Sequence, residues 1–362
     1  MIEKQYVFKF DNNLLRFFRS ALLHTRFSPT NIRFLVSTCI NQRKAVHKRA
    51  SWAEQGLQVP PLMIVSITNR CNLHCRGCYA HAIHPENEDS EISDTRLVEL
   101  GKEADDLGIS IILIAGGEPL LRPVFFDLAK RHPNILFLVF TNGLLINETN
   151  ISYFKTMPNL IPVLSLEGQQ AETDFRRGSG VFDLVKQKMG LLKQRGIFFG
   201  TSLTITSQNF DLITTTGFQK DLNQTGSQVS FFVEYVPIKP GTEDLVLTPD
   251  QKQNLPLRMK QLREQAAGLF VCLPGDEDMY GGCLAAGRGF IHVNPKGHLE
   301  PCPFAPFSDS DLADMSLKQA LGSNFLRIIR ENANRLKESE GGCTLWENRE
   351  WVLEQMQELK VK

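Results

Sequence analysis

The sequence predicts an α/β protein built on a parallel sheet, a partial (β/α)6 barrel with extensions at both ends. Three observations predict it. From Pro61 onward, short apolar runs alternate with amphipathic segments six times in about 210 residues. The apolar runs are nearly continuous rather than alternating, as in strands covered on both faces. The polar residues gather at the C-terminal ends of those runs (69–78, 116–119, 141–143 and 165–168), the edge where parallel folds place ligands.

The six units read in order. "LMIVSI" is a strand, and "SDTRLVELGKEADDLG" is a helix with Ser93 as cap and Gly108 as stop. "ISIILIAGG" and "VFFDLAKRH" form the second pair, "ILFLVFTNG" and "NETNISYFKTM" the third, "LIPVLSLEG" and "VFDLVKQKMGLLKQRG" the fourth. "IFFGTSLTI" precedes a helix over "FDLITTTGFQKDLNQTG", and "VSFFVEYVPI" precedes one over "TPDQKQNLPLRMKQLREQAAG". Residues 1–60 stand apart, with ten Lys or Arg against three Asp or Glu. "NLLRFFRSALLHTRF" and "IRFLVSTCINQRKAVHKR" read there as amphipathic helices that either pack on the main domain or offer a basic surface to a membrane or anionic partner. After about residue 270, "FIHVNPKGHLEPC" reads as a hairpin turning at "PKG", followed by helices near 316–322 and 323–339 and a last helix after "GGCTLW". The expected division is therefore a basic helical extension (1–60), the partial barrel (61–270) and a C-terminal domain (271–362).

The formal net charge of the 362 residues is zero, which gives no compositional support for a nucleic-acid role. No apolar run approaches about 18 residues, and the N-terminus lacks a signal-peptide core. The expected location is cytoplasmic. There, clustered cysteines serve as metal ligands or redox groups more often than as bridges.

The eight cysteines are unevenly spaced. Cys71, Cys75 and Cys78 lie in "SITNRCNLHCRGCYA", directly after the first strand. Structural zinc wants four ligands, in two pairs, and the next cysteine along the chain is Cys272. His74 could complete a zinc site, with His81 and His84 competing for that place. Three thiolates can instead hold three irons of a [4Fe–4S] cube and leave the fourth open. Cys39 reads as a buried helix residue.

The Cys-x3-Cys-x2-Cys spacing, "GGEP" (Gly116, Gly117, Glu118, Pro119) after the second strand and "SLEG" after the fourth together resemble the radical S-adenosylmethionine (radical SAM) superfamily. The likeness covers about residues 61–270. It implies a radical SAM enzyme of oxidoreductase or maturase type. Cys71, Cys75 and Cys78 would be its catalytic cluster ligands. The GGEP loop would bind the methionine amino group, and Ser165 and Glu167 the ribose unless they are only strand-end polar groups. Arg176 or Arg177 is a candidate for the cofactor carboxylate. Reductive cleavage of S-adenosylmethionine at the cluster would give a 5′-deoxyadenosyl radical that takes hydrogen from a substrate. One departure is Gly77, where many members carry an aromatic residue; here Tyr79 follows the third cysteine.

The run Cys283, Gly297, Cys302 is similar to the opening of the SPASM or twitch extension and implies one auxiliary [4Fe–4S] cluster. Cys343 would be a third ligand, and Cys272 either a fourth or a buried strand cysteine. Asp276, Glu277, Asp278 and Tyr280 form a polar loop beside it that is either a substrate contact or a solvated turn. The resemblance implies a peptide or protein substrate, with a lipid, haem precursor or other small molecule as the alternative. It also implies an electron donor such as flavodoxin or ferredoxin, and no nucleic acid. A non-catalytic iron–sulfur carrier and a zinc-stabilised binding module are the competing classes; neither needs GGEP or SLEG.

Overall fold

The computed structural model describes residues 29–84, 91–273, 277, 282–333, 335–336 and 343–361. The segment 13–27 and residues Asp276, Asp278 and Tyr280 lie outside the described residues. Helix α1 (Pro29–Glu54) leads into strand β1 (Leu62–Ser66) and a short helix α2 (Tyr79–Ile83). The repeating units then follow: α3 (Asp94–Leu107), β2 (Ile111–Ala115), α4 (Val124–Arg131), β3 (Leu136–Thr141), α5 (Glu148–Thr156) and β4 (Leu160–Leu166). Next come α6 (Gln170–Arg177), α7 (Val181–Gln194) and β5 (Phe199–Ile205). The segment read as one helix after β5 is two, α8 (Phe210–Ile213) and α9 (Thr216–Gln224), because Thr215 starts a new helix by accepting from the Phe218 N–H. Strand β6 (Ser227–Glu234) and helix α10 (Pro249–Gln265) end the sixth unit.

A seventh strand, β7 (Leu269–Leu273), pairs parallel with β6, so the series is longer than the six strands counted in the sequence. The hairpin at "PKG" forms as expected: β8 (Phe290–Val293) and β9 (Leu299–Glu300) are antiparallel, with Gly297 at φ +97° in the turn. It is not a separate layer. Strand β8 pairs parallel with β1, so the sheet runs β7-β6-β5-β4-β3-β2-β1-β8-β9. This covers the edge that β1 would otherwise leave open. Helices α11 (Leu317–Leu321), α12 (Asn324–Glu331), α13 (Thr344–Glu347) and α14 (Arg349–Val361) complete the chain, α12 being shorter than read.

Each strand divides its side chains between two faces. Met63, Val65, Ile112, Ile114, Phe137 and Val139 pack against the helices. Ile111, Leu113, Leu138, Val163 and Phe231 form the inner face of the partial barrel. Helix α3 shows why the local reading was sound. Ser93 accepts from the Arg96 N–H, Leu97, Leu100 and Leu107 point inward, and Gly108 closes the helix at φ +92°.

Helix α1 packs on the barrel, at the end away from the polar strand edge. The Ser110 hydroxyl donates to Gln42 at 2.7 Å, Arg49 donates to the Gly108 carbonyl, and Lys48 to that of Asp105 at 2.7 Å. Cys39, half-buried rather than buried, packs with Leu62 and Ile64 beside the inner apolar face. Among the described residues no helix is long and apolar enough to cross a membrane.

Candidate active site

The loop after β1 carries Cys71, Cys75 and Cys78, and backbone contacts fix its course. The Gly117 N–H donates to the Thr68 carbonyl at 2.7 Å and the Glu118 N–H to that of Arg70 at 2.8 Å. A Cβ built on Gly117 would stand 2.1 Å from the Arg70 oxygen. The second glycine of GGEP therefore exists to let two backbones touch. We expect Gly117→Ala to force the loops apart, with a stability loss of about 1–3 kcal/mol by overpacking. Thermal melting and iron content after reconstitution check this; a variant matching the wild type in both would contradict it.

Gly77 has a similar reason. Its φ is +68°, and a Cβ there would meet the Tyr235 hydroxyl at 2.3 Å. Tyr235, from the end of β6, fills the place that an aromatic residue at 77 would need.

The three thiols are half-buried and unbridged. Burial pushes Cys71 up to about 11, and Glu118, Cys75 and Cys78 add to the effect. Burial raises Cys75 as well, and the charges of Arg177 and Arg176 oppose the rise. Among the described residues no three His, Cys, Asp or Glu side chains converge as they would around a single ion.

Glu118 is 1% exposed, and protein donors hold it. Its carboxylate accepts from the Thr141 hydroxyl at 2.7 Å, the Asn142 N–H at 2.8 Å and the Leu120 N–H at 3.0 Å. Burial raises its pKa and these bonds oppose the rise. The side chain thus anchors the GGEP loop to the "TNG" turn. Asn142 supports that turn by accepting from the Leu144 N–H at 3.0 Å, and it also donates to Asn72 in the cysteine loop at 2.8 Å.

Glu167, just past β4, forms the centre of a second cluster. Its Oε1 accepts from Arg176 at 2.6 Å and from Arg177 Nε at 2.7 Å. Its Oε2 is buried without a partner, as is Arg176 Nε. Arg176 also donates to Thr204 at 3.1 Å. Arg176 and Arg177 end α6, a helix the sequence reading missed because "QAETDFRR" has no apolar periodicity. A cleft of about 270 Å³ opens here, lined by Glu167, Phe175, Arg176, Thr206 and Asn209 among others. A larger groove of about 400 Å³, between α8 and α10, holds none of the predicted site residues. Ser165 lies half-exposed on β4, in register with Ser202 of β5.

Three of the later cysteines come together. Cys283 and Cys302 are buried, Cys343 lies within electrostatic reach of both, and burial holds Cys283 and Cys302 well above the ordinary thiol range. The charges of Glu277 and Cys343 add to the effect at Cys283. Cys272 is fully buried on β7, opposite Phe232 and on the helix side of the sheet. Tyr79 stands between the two cysteine sets. Its ring meets Phe304 edge-on at 5.1 Å, and its phenol is raised by burial and by Cys78, Cys302 and Glu300.

Residues 65–213 match the family model of the radical SAM superfamily, over the loop, the GGEP turn and the SLEG strand end just described. Residues 65–213 are a radical SAM domain. Members of this superfamily are enzymes that use S-adenosylmethionine and a [4Fe–4S] cluster. Among relatives, an AdoMet-dependent heme synthase of Methanosarcina barkeri is 24% identical over 321 residues, covering 80% of this chain and 88% of the relative. The mycofactocin maturase MftC of Mycobacterium tuberculosis is 26% identical over 316 residues, covering 80% and 76%. Among solved structures, SuiB of Streptococcus suis bound to S-adenosylmethionine superposes with a TM-score of 0.65 at 18% identity, covering 88% of this chain and 79% of that one. That likeness shows that the two chains share a fold.

Proposed function

We propose that Cys71, Cys75 and Cys78 hold the [4Fe–4S] cluster of a radical SAM enzyme that oxidises or cross-links a peptide or protein segment. The carrying observation is a loop of three unbridged thiols whose backbone is bonded to Arg176, one of two arginines that share a single buried carboxylate. The donor set fits the group. The loop offers three thiols, leaving an iron open, and the adjoining cations offset the charge of thiolates and a bound carboxylate. When bound, the cluster and S-adenosylmethionine supply a one-electron cleavage whose 5′-deoxyadenosyl product removes hydrogen from the substrate.

The chain's own residues position that cofactor. Arg176 and Arg177 attract its carboxylate. The unpartnered Oε2 of Glu167 takes a ribose hydroxyl, with Ser165 nearby on the same strand end. The loop Gly116, Gly117, Glu118 and Pro119 receives the amino group through its backbone. Glu118 acts there chiefly as the loop's anchor, since its oxygens already accept three bonds.

Cys283, Cys302 and Cys343 are proposed to hold one auxiliary [4Fe–4S] cluster. Cys272 is the cysteine available to complete it. A Cys272→Ser variant with an altered cluster spectrum would assign it as a ligand; an unchanged spectrum would assign it to the core. Reducing equivalents would come from a flavodoxin or ferredoxin type of protein.

The maturase relative supports the peptide reading, and the heme synthase relative supports a second, a tetrapyrrole substrate. The anaerobically reconstituted enzyme, given dithionite and S-adenosylmethionine, separates them. Faster 5′-deoxyadenosine release with the small-peptide fraction of a cell extract, and none with iron coproporphyrin III, is the expected result. The reverse response would replace the peptide reading with the tetrapyrrole one.

A further inference from the structure

Helix α1 is docked with its polar side inward. Thr38, Gln42, Ala45 and Arg49 recur at helical spacing, and all four are buried. The Ser110 hydroxyl donates to Gln42, and Arg49 donates to the Gly108 carbonyl, so this side is pinned to the turn that leads into β2. The opposite side faces away from the barrel. It carries Val36 and Ile40, one turn apart and 45% and 49% exposed, followed by Arg43, Lys44 and His47, all exposed. With 3.6 residues per turn, these five fall within about 100° of one another around the helix axis. A helix on a soluble protein ordinarily buries its apolar side. Here hydrogen bonds hold the polar side, and the apolar residues stand outward among cations.

Charge decides what such a face fits. Helix α1 contains five Lys or Arg, and its first acidic residue is Glu54, at its very end. Lys48 pairs with Asp105 and Arg49 is buried, but among the described residues no ion pair occupies Arg43 or Lys44. Residues 1–28, directly before the helix, add five Lys or Arg against two Asp or Glu. The complement of this face is therefore anionic. An acidic protein surface or a free polyanion would leave Val36 and Ile40 against charge and water. A lipid surface offers phosphates at the level of the cations and an apolar layer just beneath.

We propose that the outward face of α1 is a peripheral docking site for an anionic lipid surface. Val36 and Ile40 enter the headgroup boundary, and Arg43 and Lys44 meet the lipid phosphates. Ser110 and Gly108, to which α1 is bonded, lie at the N-terminal end of β2. The lipid then lies beneath the N-terminal ends of the strands, and the cysteine loop at their C-terminal ends points away from it. Substrate and electron donor keep access from the aqueous side. Docking of this kind requires neither a particular cluster nor a particular substrate.

The test is co-sedimentation of the full chain with vesicles of phosphatidylcholine alone and of phosphatidylcholine mixed with phosphatidylglycerol. Binding to the mixed vesicles only, weakened by salt, is the expected result. Arg43→Gln combined with Lys44→Gln should weaken it about thirtyfold. Val36→Ser combined with Ile40→Ser should weaken it about tenfold. All four residues are exposed, so both double variants should melt at the wild-type temperature; Ile40→Ser alone replaces the apolar pair if that variant fails to fold. No binding to either vesicle would overturn the inference. So would wild-type affinity in both double variants, which would place the contact elsewhere on the chain. Loss on removing the cations with full binding in the apolar variant would also overturn it, since the face would then read charge alone and not a lipid surface.

Discussion

Replacing Cys75 by alanine is expected to abolish cleavage of S-adenosylmethionine while leaving the fold in place. The loop that holds Cys75 is fixed by backbone bonds in which no thiol takes part: Gly117 to Thr68, Glu118 to Arg70, and the Arg76 N–H to the Arg176 carbonyl at 2.8 Å. Losing one half-buried sulfur leaves these intact. Losing one of three ligands, however, leaves the cluster two anchors in a loop with no other cysteine. Bound iron should fall by about four per chain, and 5′-deoxyadenosine should drop to background, with the circular dichroism spectrum unchanged. Cleavage at the wild-type rate would mean that another residue set holds the cluster.

Glu167→Ala should have the largest effect on stability. Glu167 is 1% exposed and is the shared counter-ion of Arg176 and Arg177, whose side chains are themselves largely buried. Removing it leaves two like charges side by side without a partner. Breaking a buried pair in this way costs about 3–5 kcal/mol. Affinity for S-adenosylmethionine should fall as well, because the arginines lose the carboxylate that fixes their direction. Denaturant unfolding and equilibrium binding of the cofactor measure the two effects separately. The exposed pair Arg195–Glu148 provides the control: Glu148→Ala should change stability by less than about 1 kcal/mol. A Glu167 variant as stable as that control would show that the arginines are solvated and that the cluster of charges is not a site.

Most of the fold was legible because its signals are local. Ser93 and Gly108 bound a helix whose apolar face follows from its own spacing, and "PKG" turns a hairpin within one short segment. The cysteine loop and GGEP were legible for the same reason, since each is a few consecutive residues after an apolar strand. What the sequence hid is long-range or lacks periodicity. Strand β7 reads as another short apolar run, and only its pairing with β6 makes it part of the sheet. Nothing in "FIHV" announces that it will pair with "LMIV" of β1, far earlier in the chain. Helix α6 is polar on nearly every side, and nothing in its spacing shows that Arg176 and Arg177 share the Glu167 carboxylate. The Ser66 hydroxyl and His292 Nε2 lie 2.8 Å apart across 226 positions, a separation at which no spacing rule operates.

Glu118 shows the opposite case. The glycines of its motif allow a close backbone approach, and the backbone they meet is that of the cysteine loop. A glycine reports that something comes near, and the sequence alone does not say what. The donors that the Glu118 carboxylate accepts from are Thr141, Asn142 and Leu120.

The most direct test of the central claim is iron counted per chain in the anaerobically reconstituted protein, before and after Cys71, Cys75 and Cys78 are all changed to alanine, with 5′-deoxyadenosine measured in parallel. About eight irons falling to about four, with cleavage lost, is the predicted result. Unchanged iron with cleavage intact in the triple variant would contradict it.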